Sequence, residues 1–165
     1  MKKVILLIVL IAAAVWYFDT SRRMTEAAIR ESYQTQVEAL QRFDAEPLCD
    51  SLDNGYSASV AMRDTGAPAK TQDKATACAE LTRALRRFKT LSERTAGVLE
   101  PDYDYEIQSI TLSPDRKLAT VEVTSTMRIG DMTLARSRSV EHLIRRLGRI
   151  RNTGGESTVW AYQGE

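Results

Sequence analysis

The chain has 165 residues, 43% of them apolar, and its 23 basic and 22 acidic side chains leave a formal net charge of +1. This length suits one domain built around one hydrophobic core. A nearly balanced charge excludes a generic nucleic-acid binder, a supercharged surface and a long acidic tail. We therefore expect no nucleic-acid partner.

An unbroken apolar run of fifteen residues, VILLIVLIAAAVWYF, occupies positions 4–18 directly after two lysines. As a helix it spans about 22 Å, which is short against a hydrocarbon core of about 30 Å and long for the apolar part of a signal peptide. Ala12-Ala13-Ala14 suits signal cleavage, whereas Trp16-Tyr17-Phe18 suits an aromatic belt at a membrane surface. We predict an uncleaved anchor over residues 1–18, with a cleaved signal peptide as the alternative.

Both alternatives carry the rest of the chain across a membrane. The predicted location is the inner membrane, crossed once through residues 4–18, with the domain in the periplasm or another extracytoplasmic space. Cys49 and Cys78 form an even pair, which in an exported domain predicts a disulfide, the alternative being two buried free thiols. No metal site and no cofactor are predicted, because the chain has no CxxC motif and His142 is its only histidine.

The soluble part divides into helical patterns followed by strand patterns. We assign residues 19–28 to a juxtamembrane stalk and residues 29–165 to the domain. Apolar residues at three- and four-residue steps predict a helix over residues 21–44, and Pro47 starts a short second helix that Asn54-Gly55 would end. A short edge strand over 56–62 and a loop over 64–70 follow. The third helix begins after a cap at Asp73 and ends near residue 97.

After Pro101 the apolar period changes from that of a helix to two, which is typical of half-buried strands. Strands are predicted over residues 105–112, 119–124 and 132–145, with turns between them. A last strand runs from residue 150 to 162 and is interrupted by Gly154-Gly155, which predicts a bulge or kink.

Two segments carry a resemblance to a known superfamily. PLCDSLDNGY, ending at Tyr56, is similar to the second helix and following strand of the NTF2-like (cystatin-type α+β cone) fold, and HLIRRLGRIRNTGGESTVW, ending at Trp160, resembles its terminal hairpin. The resemblance covers residues 25–163 and implies an α+β fold, with three helices packed on a curved antiparallel sheet. One departure is Arg149-Ile150, where many members carry an aromatic residue.

The same resemblance implies two kinds of function. Members with isomerase or dehydratase activity often place a His or Asp, helped by Tyr, in a cone-shaped pocket for proton transfer. His142 shares a strand face with Val140 and Ile144 and is the candidate acid or base, although a lone histidine is more often structural. Residues expected within reach of that pocket are Tyr33, Tyr56, Asp44 and Glu122.

The alternating carboxylates Asp102, Asp104 and Glu106 share one strand face, which favours a solvated strand entrance over a cation site because the spacing lacks the turn and glycine of a calcium loop. The chain also contains no GxSxG, HExxH, Walker or GxGxxG motif in a suitable context.

Charge is unevenly distributed along the predicted sheet. Seven arginines lie between residues 127 and 151, against only two carboxylates, Asp131 and Glu141. Guanidinium groups bind carboxylates and phosphates, so the predicted binding residues are Arg136, Arg138, Arg145 and Arg146. The alternative is a purely structural role, in which these arginines pair with carboxylates elsewhere in the chain.

These patterns favour a non-enzymatic, membrane-tethered extracytoplasmic module that binds an envelope protein or a second copy of itself. The alternative is a small-ligand-binding protein or a pocket acid/base enzyme that uses His142. A third hypothesis is an anion-recognition module that uses the arginine strands.

Overall fold

The computed structural model of the protein describes residues 2–21, 23–63 and 68–162. The described chain begins with the helices α1 (Lys2–Thr20), α2 (Glu26–Gln41) and α3 (Ala45–Asp50), and α4 (Lys74–Arg94) follows two strands later. The strands are β1 (Leu52–Met62), β2 (Lys70–Asp73), β3 (Pro101–Leu112), β4 (Leu118–Ile129), β5 (Met132–Arg146) and β6 (Arg149–Ala161).

Polar side chains at the helix starts fix where three of these helices begin. The side chains of Thr25, Asp44 and Asp73 each accept a backbone N–H from the first turn of α2, α3 and α4. Such caps satisfy donors that have no partner inside the helix. The predicted cap at Asp73 is thereby confirmed.

The described chain contains four helices rather than three, because α1 precedes the three that accompany the sheet. The second of those three also ends earlier than predicted. It stops at Asp50, and Asn54-Gly55 lies inside β1, in the irregular stretch between the Leu52–Asn152 and Ser57–Gly154 pairs that join β1 to the last strand.

The segment between α1 and α2 belongs to the folded body. Met24, inside the predicted stalk, is fully buried in the same cluster as Ile29, and its amide donates to the carbonyl of Arg116 at 2.7 Å. Within the described residues, no helix combines the length and hydropathy needed to cross a membrane. Arg22 and most of the predicted 64–70 loop, residues 64–67, lie outside the described part of the chain.

The six strands form one curved sheet in the order β2-β1-β6-β5-β4-β3. The sheet is mixed and not purely antiparallel, because β1 and β6 run parallel while all other neighbours run antiparallel. Apolar alternation shows which residues share a face but not the direction of the neighbouring strand, so the sequence left this pair undetermined. β1 is also not an edge strand, since β2 covers its other side.

The predicted kink in the last strand is confirmed at Gly154-Gly155. Both residues have positive φ, +124° and +151°. A Cβ atom would lie 1.8 Å from the Ser57 carbonyl oxygen at Gly154 and 1.9 Å from the Val140 carbonyl oxygen at Gly155. Only glycine lets the neighbouring strands approach β6 this closely.

The main core lies between α2 and the face of the sheet that we call the inner face. Val121, Val123 and Leu143 of β4 and β5 pack there with Ile29 and Tyr33 of α2. A second cluster joins Ala39, Leu48 and Leu85, one from each of α2, α3 and α4. The predicted Cys49–Cys78 disulfide is present and ties α3 to α4, with 5.5 Å between the two Cα atoms.

Candidate functional site

The polar centre of the inner face is the carboxylate of Glu141 in β5. The Tyr33 hydroxyl donates to its Oε2 atom at 2.7 Å, and the Asn152 Nδ2 atom donates to the same oxygen at 2.8 Å. The Asn152 Oδ1 atom accepts the Gly154 amide at 2.7 Å, which fixes the orientation of the Asn152 side chain. Helix α2 and strand β6 therefore hold one carboxylate oxygen of strand β5 between them.

The surroundings of Glu141 favour its protonated form. Burial raises the pKa of Glu141 above its usual range, although the hydrogen bonds from Tyr33 and Asn152 lower it. Burial and the adjacent Glu141 together raise the pKa of Tyr33, so this phenol remains a donor at neutral pH. The Tyr33 ring stacks on Tyr105 with 5.8 Å between the ring centroids, which holds the hydroxyl in place.

A cavity of about 260 Å³ opens beside this network. Its polar lining includes Tyr56, Ser139, Glu141, Asn152 and Ser157. Burial also raises the pKa of Tyr56. Among the described residues, no hydrogen bond reaches the second oxygen of Glu141, Oε1. Oε1 is therefore the atom through which Glu141 can exchange a proton or a hydrogen bond with a small polar molecule in the cavity.

The structure does not place His142 in this cavity. His142 is exposed on the opposite side of β5, where its Nδ1 atom lies 3.3 Å from the Thr120 hydroxyl. Side chains alternate along a strand, so Glu141 and Leu143 face the helices while His142 faces away. The sequence placed His142, Val140 and Ile144 on one face correctly but could not show which face the helices cover.

Of the four other residues expected near a pocket, two line the cavity region. Tyr33 binds Glu141, and Tyr56 lines the cavity itself. Asp44 instead caps α3, and Glu122 lies on the other side of the sheet beside Arg138. Sequence reasoning missed Glu141 as a site residue. The available signal was that Glu141 lies two positions before the apolar Leu143, so that both side chains point to the same face of the strand.

We call the opposite side of β3–β6 the outer face. It carries Arg136 and Arg138, both exposed, and a cavity of about 420 Å³ that these arginines line together with Trp160 and Tyr162. An Arg138 Nη2 atom lies 3.4 Å from Glu122 Oε2. The outer face is thus a shallow surface that combines guanidinium groups, aromatic rings and threonine hydroxyls.

Strand register orders four of the outer-face charges in two rows, and two others, Glu122 and Arg128, form ion pairs of 3.4 Å with Arg138 and Asp104. One row runs from Glu106 through Thr124 to Arg138, and the next runs from Asp104 through Thr126 to Arg136. Asp102, Asp104 and Glu106 are exposed, as the predicted solvated strand entrance requires. The described residues include no group of three or more His, Cys, Asp or Glu side chains that could hold a metal ion.

The four predicted binding arginines do not form one site. Arg136 and Arg138 lie in the middle of the outer face, whereas Arg145 and Arg146 lie at the turn between β5 and β6. Arg145 donates to the carbonyl of Arg23 at 2.6 Å, and an Arg146 Nη1 atom lies 3.4 Å from Asp53 Oδ1. The second pair therefore belongs to the end of the domain that meets α1.

No protein-family model matches the chain, and no curated protein matches it. Solved structures do resemble it. An NTF2-like protein of unknown function from Silicibacter pomeroyi is 18% identical, with a TM-score of 0.54 over 82% of this chain and 99% of that chain. A domain of unknown function with a cystatin-like fold from Nostoc punctiforme is 13% identical, with a TM-score of 0.56 over 86% and 81%.

A candidate scytalone dehydratase from Novosphingobium aromaticivorans is also similar, at 13% identity and a TM-score of 0.53 over 84% of this chain and 88% of that chain. Identities at this level describe the fold and not the reaction. The order of elements, the curved sheet and these structural neighbours agree with the resemblance of the sequence to the NTF2-like superfamily. The chain has the NTF2-like, cystatin-type α+β fold.

Proposed function

We propose that the protein is a membrane-attached extracytoplasmic module that assembles with a second copy of itself through the outer face. The proposal has three parts, which are attachment through α1, location outside the cytoplasm and association of two outer faces. The observation that carries it is the complementary charge order of the outer face.

Attachment to a membrane is supported by the exposure of α1. Its large apolar side chains from Ile5 to Ile11 and from Val15 to Phe18 are all more than half exposed. Soluble proteins rarely expose an apolar surface of this extent, because burying such side chains is strongly favourable. The acyl region of a bilayer would cover this surface, with the aromatic residues 16–18 near the headgroups.

The Cys49–Cys78 disulfide supports the extracytoplasmic location. Disulfides persist in oxidising compartments, whereas the cytosol keeps thiols reduced. The bridge joins α3 to α4 and links two cysteines that are 29 positions apart in the sequence. The domain would thus lie on the oxidising side of the membrane in which α1 is held.

Self-association is supported by the two charge rows. Adjacent strands lie about 4.8 Å apart, so the carboxylates of β3 and the arginines of β5 are about 10 Å apart, on either side of β4. A two-fold axis along β4 places the β3 carboxylates of each copy against the β5 arginines of the other, because an isologous contact is made twice. The threonines between them, Thr124 and Thr126, are small enough to allow close approach.

Sedimentation velocity of the full chain in detergent micelles tests this proposal. We expect a dimer that dissociates as the salt concentration rises, because exposed charge pairs are screened. The double variant Arg136→Glu/Arg138→Glu is expected to be monomeric, since it puts four acidic groups opposite the partner's carboxylates. The matched control Arg86→Glu/Arg87→Glu reverses two exposed arginines on α4 and should remain dimeric. A wild-type monomer at all concentrations would contradict the proposal.

The Glu141 network favours a second candidate function, the binding or acid/base conversion of a small polar ligand. Its support is the half-buried carboxyl group with a raised pKa beside a cavity of about 260 Å³. His142 is not in that cavity, so the acid or base would be Glu141, with Tyr33 as its orienting donor.

A library of small hydroxy and carbonyl compounds tests the second candidate. The readout is the side-chain amide resonance of Asn152, recorded by NMR for the wild type and for Glu141→Gln. A compound that shifts this resonance in the wild type alone would support the pocket function. Absence of any shift together with an intact dimer would leave the assembly function as the better account.

A further inference from the structure

Two hairpin turns lie at the end of the domain that meets α1. The turn before β4 is joined to α1 by an ion pair of 2.8 Å between Lys117 Nζ and Asp19 Oδ1. The turn between β5 and β6 is joined to the segment between α1 and α2 by one guanidinium group. Arg145 donates to the carbonyl of Arg23 at 2.6 Å and to that of Gly148 at 3.2 Å. We call the two turns and their flanking residues the α1-proximal end.

The α1-proximal end carries an excess of positive charge. Among the described residues this end holds or contacts three carboxylates, Asp19, Asp53 and Asp115, and its basic side chains already engage the first two. Asp115 binds the Ser113 hydroxyl and the Lys117 amide within its own turn. The described basic side chains of this end are Arg23, Arg116, Lys117, Arg145, Arg146 and Arg149.

Leu147 stands at the tip of the β5–β6 turn in a conformation that does not suit it. Its φ is 50° and that of Gly148 is 77°, so both turn residues are left-handed. Asparagine or aspartate is preferred before glycine in such a turn, and a leucine there is strained. Leu147 is 89% exposed, so contacts within the domain do not offset this strain. A large apolar side chain at this tip is explained by burial against something outside the domain.

We propose that the α1-proximal end docks on the headgroups of an anionic phospholipid bilayer, with Leu147 entering the interface. This inference rests on the proposed attachment through α1. The apolar run ends at Phe18, and Asp19, the next residue, is bonded to the β3–β4 turn. Because the headgroup layer on each side of a bilayer is about 5–8 Å thick, the turns lie at its depth.

The chemistry of this surface selects a lipid rather than another anion. Exposed Arg116, Arg146 and Arg149 provide the charge that attracts anionic headgroups. An exposed leucine adds nothing to the binding of a dissolved phosphate, but it gains burial at a membrane interface. Tethering by α1 raises the effective concentration of the lipid surface, so modest attraction is enough for docking.

Hydrogen–deuterium exchange of the full chain in lipid nanodiscs tests the docking. One nanodisc contains only phosphatidylcholine, and the other also contains phosphatidylglycerol. We expect residues 113–118 and 145–149 to exchange several-fold more slowly on the anionic bilayer, with the difference removed by high salt. Arg146→Gln/Arg149→Gln should weaken docking about fivefold for each arginine. The control Arg86→Gln/Arg87→Gln, on α4, should keep the protection.

Leu147→Asn separates a membrane role from a structural one. Asparagine suits the left-handed turn, so the unfolding temperature should be equal or higher while protection on the anionic bilayer falls. Quenching of Trp16 fluorescence by brominated acyl chains shows that α1 is inserted in the bilayer. If Trp16 is quenched but hydrogen exchange is equal on both lipids, the docking proposal is overturned. Failure to quench Trp16 in either nanodisc would overturn the attachment through α1 and the docking with it.

Discussion

The two faces of β5 differ in how their polar groups are held. On the inner face, Glu141 accepts hydrogen bonds of 2.7 and 2.8 Å from Tyr33 and Asn152 at a single oxygen. On the outer face, the Arg138–Glu122 ion pair is 3.4 Å long and exposed. Residues 141 and 142 are adjacent in the chain, yet one belongs to an enclosed network and the other to an open surface.

This difference separates the groups that stabilise the domain from those that are free to bind. Hydrogen bonds from buried donors to a charged group contribute about 1.5–3 kcal/mol each, whereas exposed ion pairs contribute about 0–1 kcal/mol. Substitutions on the inner face should therefore change the free energy of unfolding. Substitutions on the outer face should change association and leave folding almost intact.

The largest expected effect comes from the kink that brings β6 against its neighbours. Gly154→Ala should destabilise the protein by about 4 kcal/mol or prevent folding, because the new Cβ would lie 1.8 Å from the Ser57 carbonyl oxygen. Gly97→Ala is the matched control, since Gly97 also has positive φ but a Cβ added there would meet no atom within 4 Å. It should cost about 1 kcal/mol. Urea unfolding measures both, and equal effects would contradict the steric explanation.

Removing the disulfide should have the next largest effect. Cys49→Ser/Cys78→Ser frees a loop with a sequence separation of 29 residues, and the free energy of unfolding should fall by about 2–4 kcal/mol. Thermal unfolding with and without reductant measures the loss. Reductant should lower the midpoint of the wild type and leave that of the double variant unchanged. If the disulfide of the wild type is fully reduced and the midpoint of thermal unfolding does not fall, the bridge does not have this stabilising role.

The Tyr33 hydroxyl should stabilise the domain mainly when Glu141 is ionised. At a pH above the pKa of Glu141, Tyr33→Phe should cost about 2 kcal/mol, because a hydrogen bond to a charged carboxylate is then lost. The cost should shrink as the pH falls through the pKa of Glu141. The control is Tyr105→Phe, which keeps the ring stacked on Tyr33 and should cost within about 0.5 kcal/mol. Equal losses in both variants would show that the hydroxyl of Tyr33 has no special role.

Glu141 should give the protein a pH dependence opposite to that of its surface carboxylates. Its raised pKa means that its stabilising contribution is complete below the unfolded-state pKa of about 4.3 and is lost as the pH rises through the folded-state pKa. Asp73, Glu80 and Asp115 have lowered pKa values, so their contributions are lost as the pH falls.

The difference in unfolding free energy between the wild type and Glu141→Gln isolates the Glu141 contribution. As the pH rises, the wild type should lose stability relative to Glu141→Gln. A difference that does not change with pH would contradict the raised pKa of Glu141.

The smallest effect is expected one residue further along the strand. His142→Gln should change the free energy of unfolding by no more than about 0.5 kcal/mol, because His142 is exposed and, among the described residues, its ring has a hydrogen-bonding partner only in the Thr120 hydroxyl. Chemical denaturation of His142→Gln beside Glu141→Gln compares the two faces directly. A loss at His142 as large as that at Tyr33 would remove the distinction between the faces.

Local chemistry allowed several parts of this fold to be predicted from the sequence. The cap at Asp73, the kink at Gly154-Gly155 and the Cys49–Cys78 pair each depend on residue types with strong local or covalent preferences. The parallel pairing of β1 with β6 could not be predicted, because it depends on how distant strands meet. The face of β5 that carries the pocket was equally undetermined, because Leu143 lies on the face of Glu141 while Val140 and Ile144 lie on the face of His142, so neither face is free of apolar residues.

A charge-swap experiment tests the central claim, association through the outer face, most directly. Arg136→Glu/Arg138→Glu is combined with Asp104→Arg/Glu106→Arg, which exchanges the signs of the two charge rows while keeping their complementarity. Sedimentation velocity in micelles should show monomers for the arginine double variant and dimers again for the fourfold variant, at wild-type stability. A fourfold variant that remains monomeric while folded, or an arginine double variant that remains dimeric, would contradict the claim.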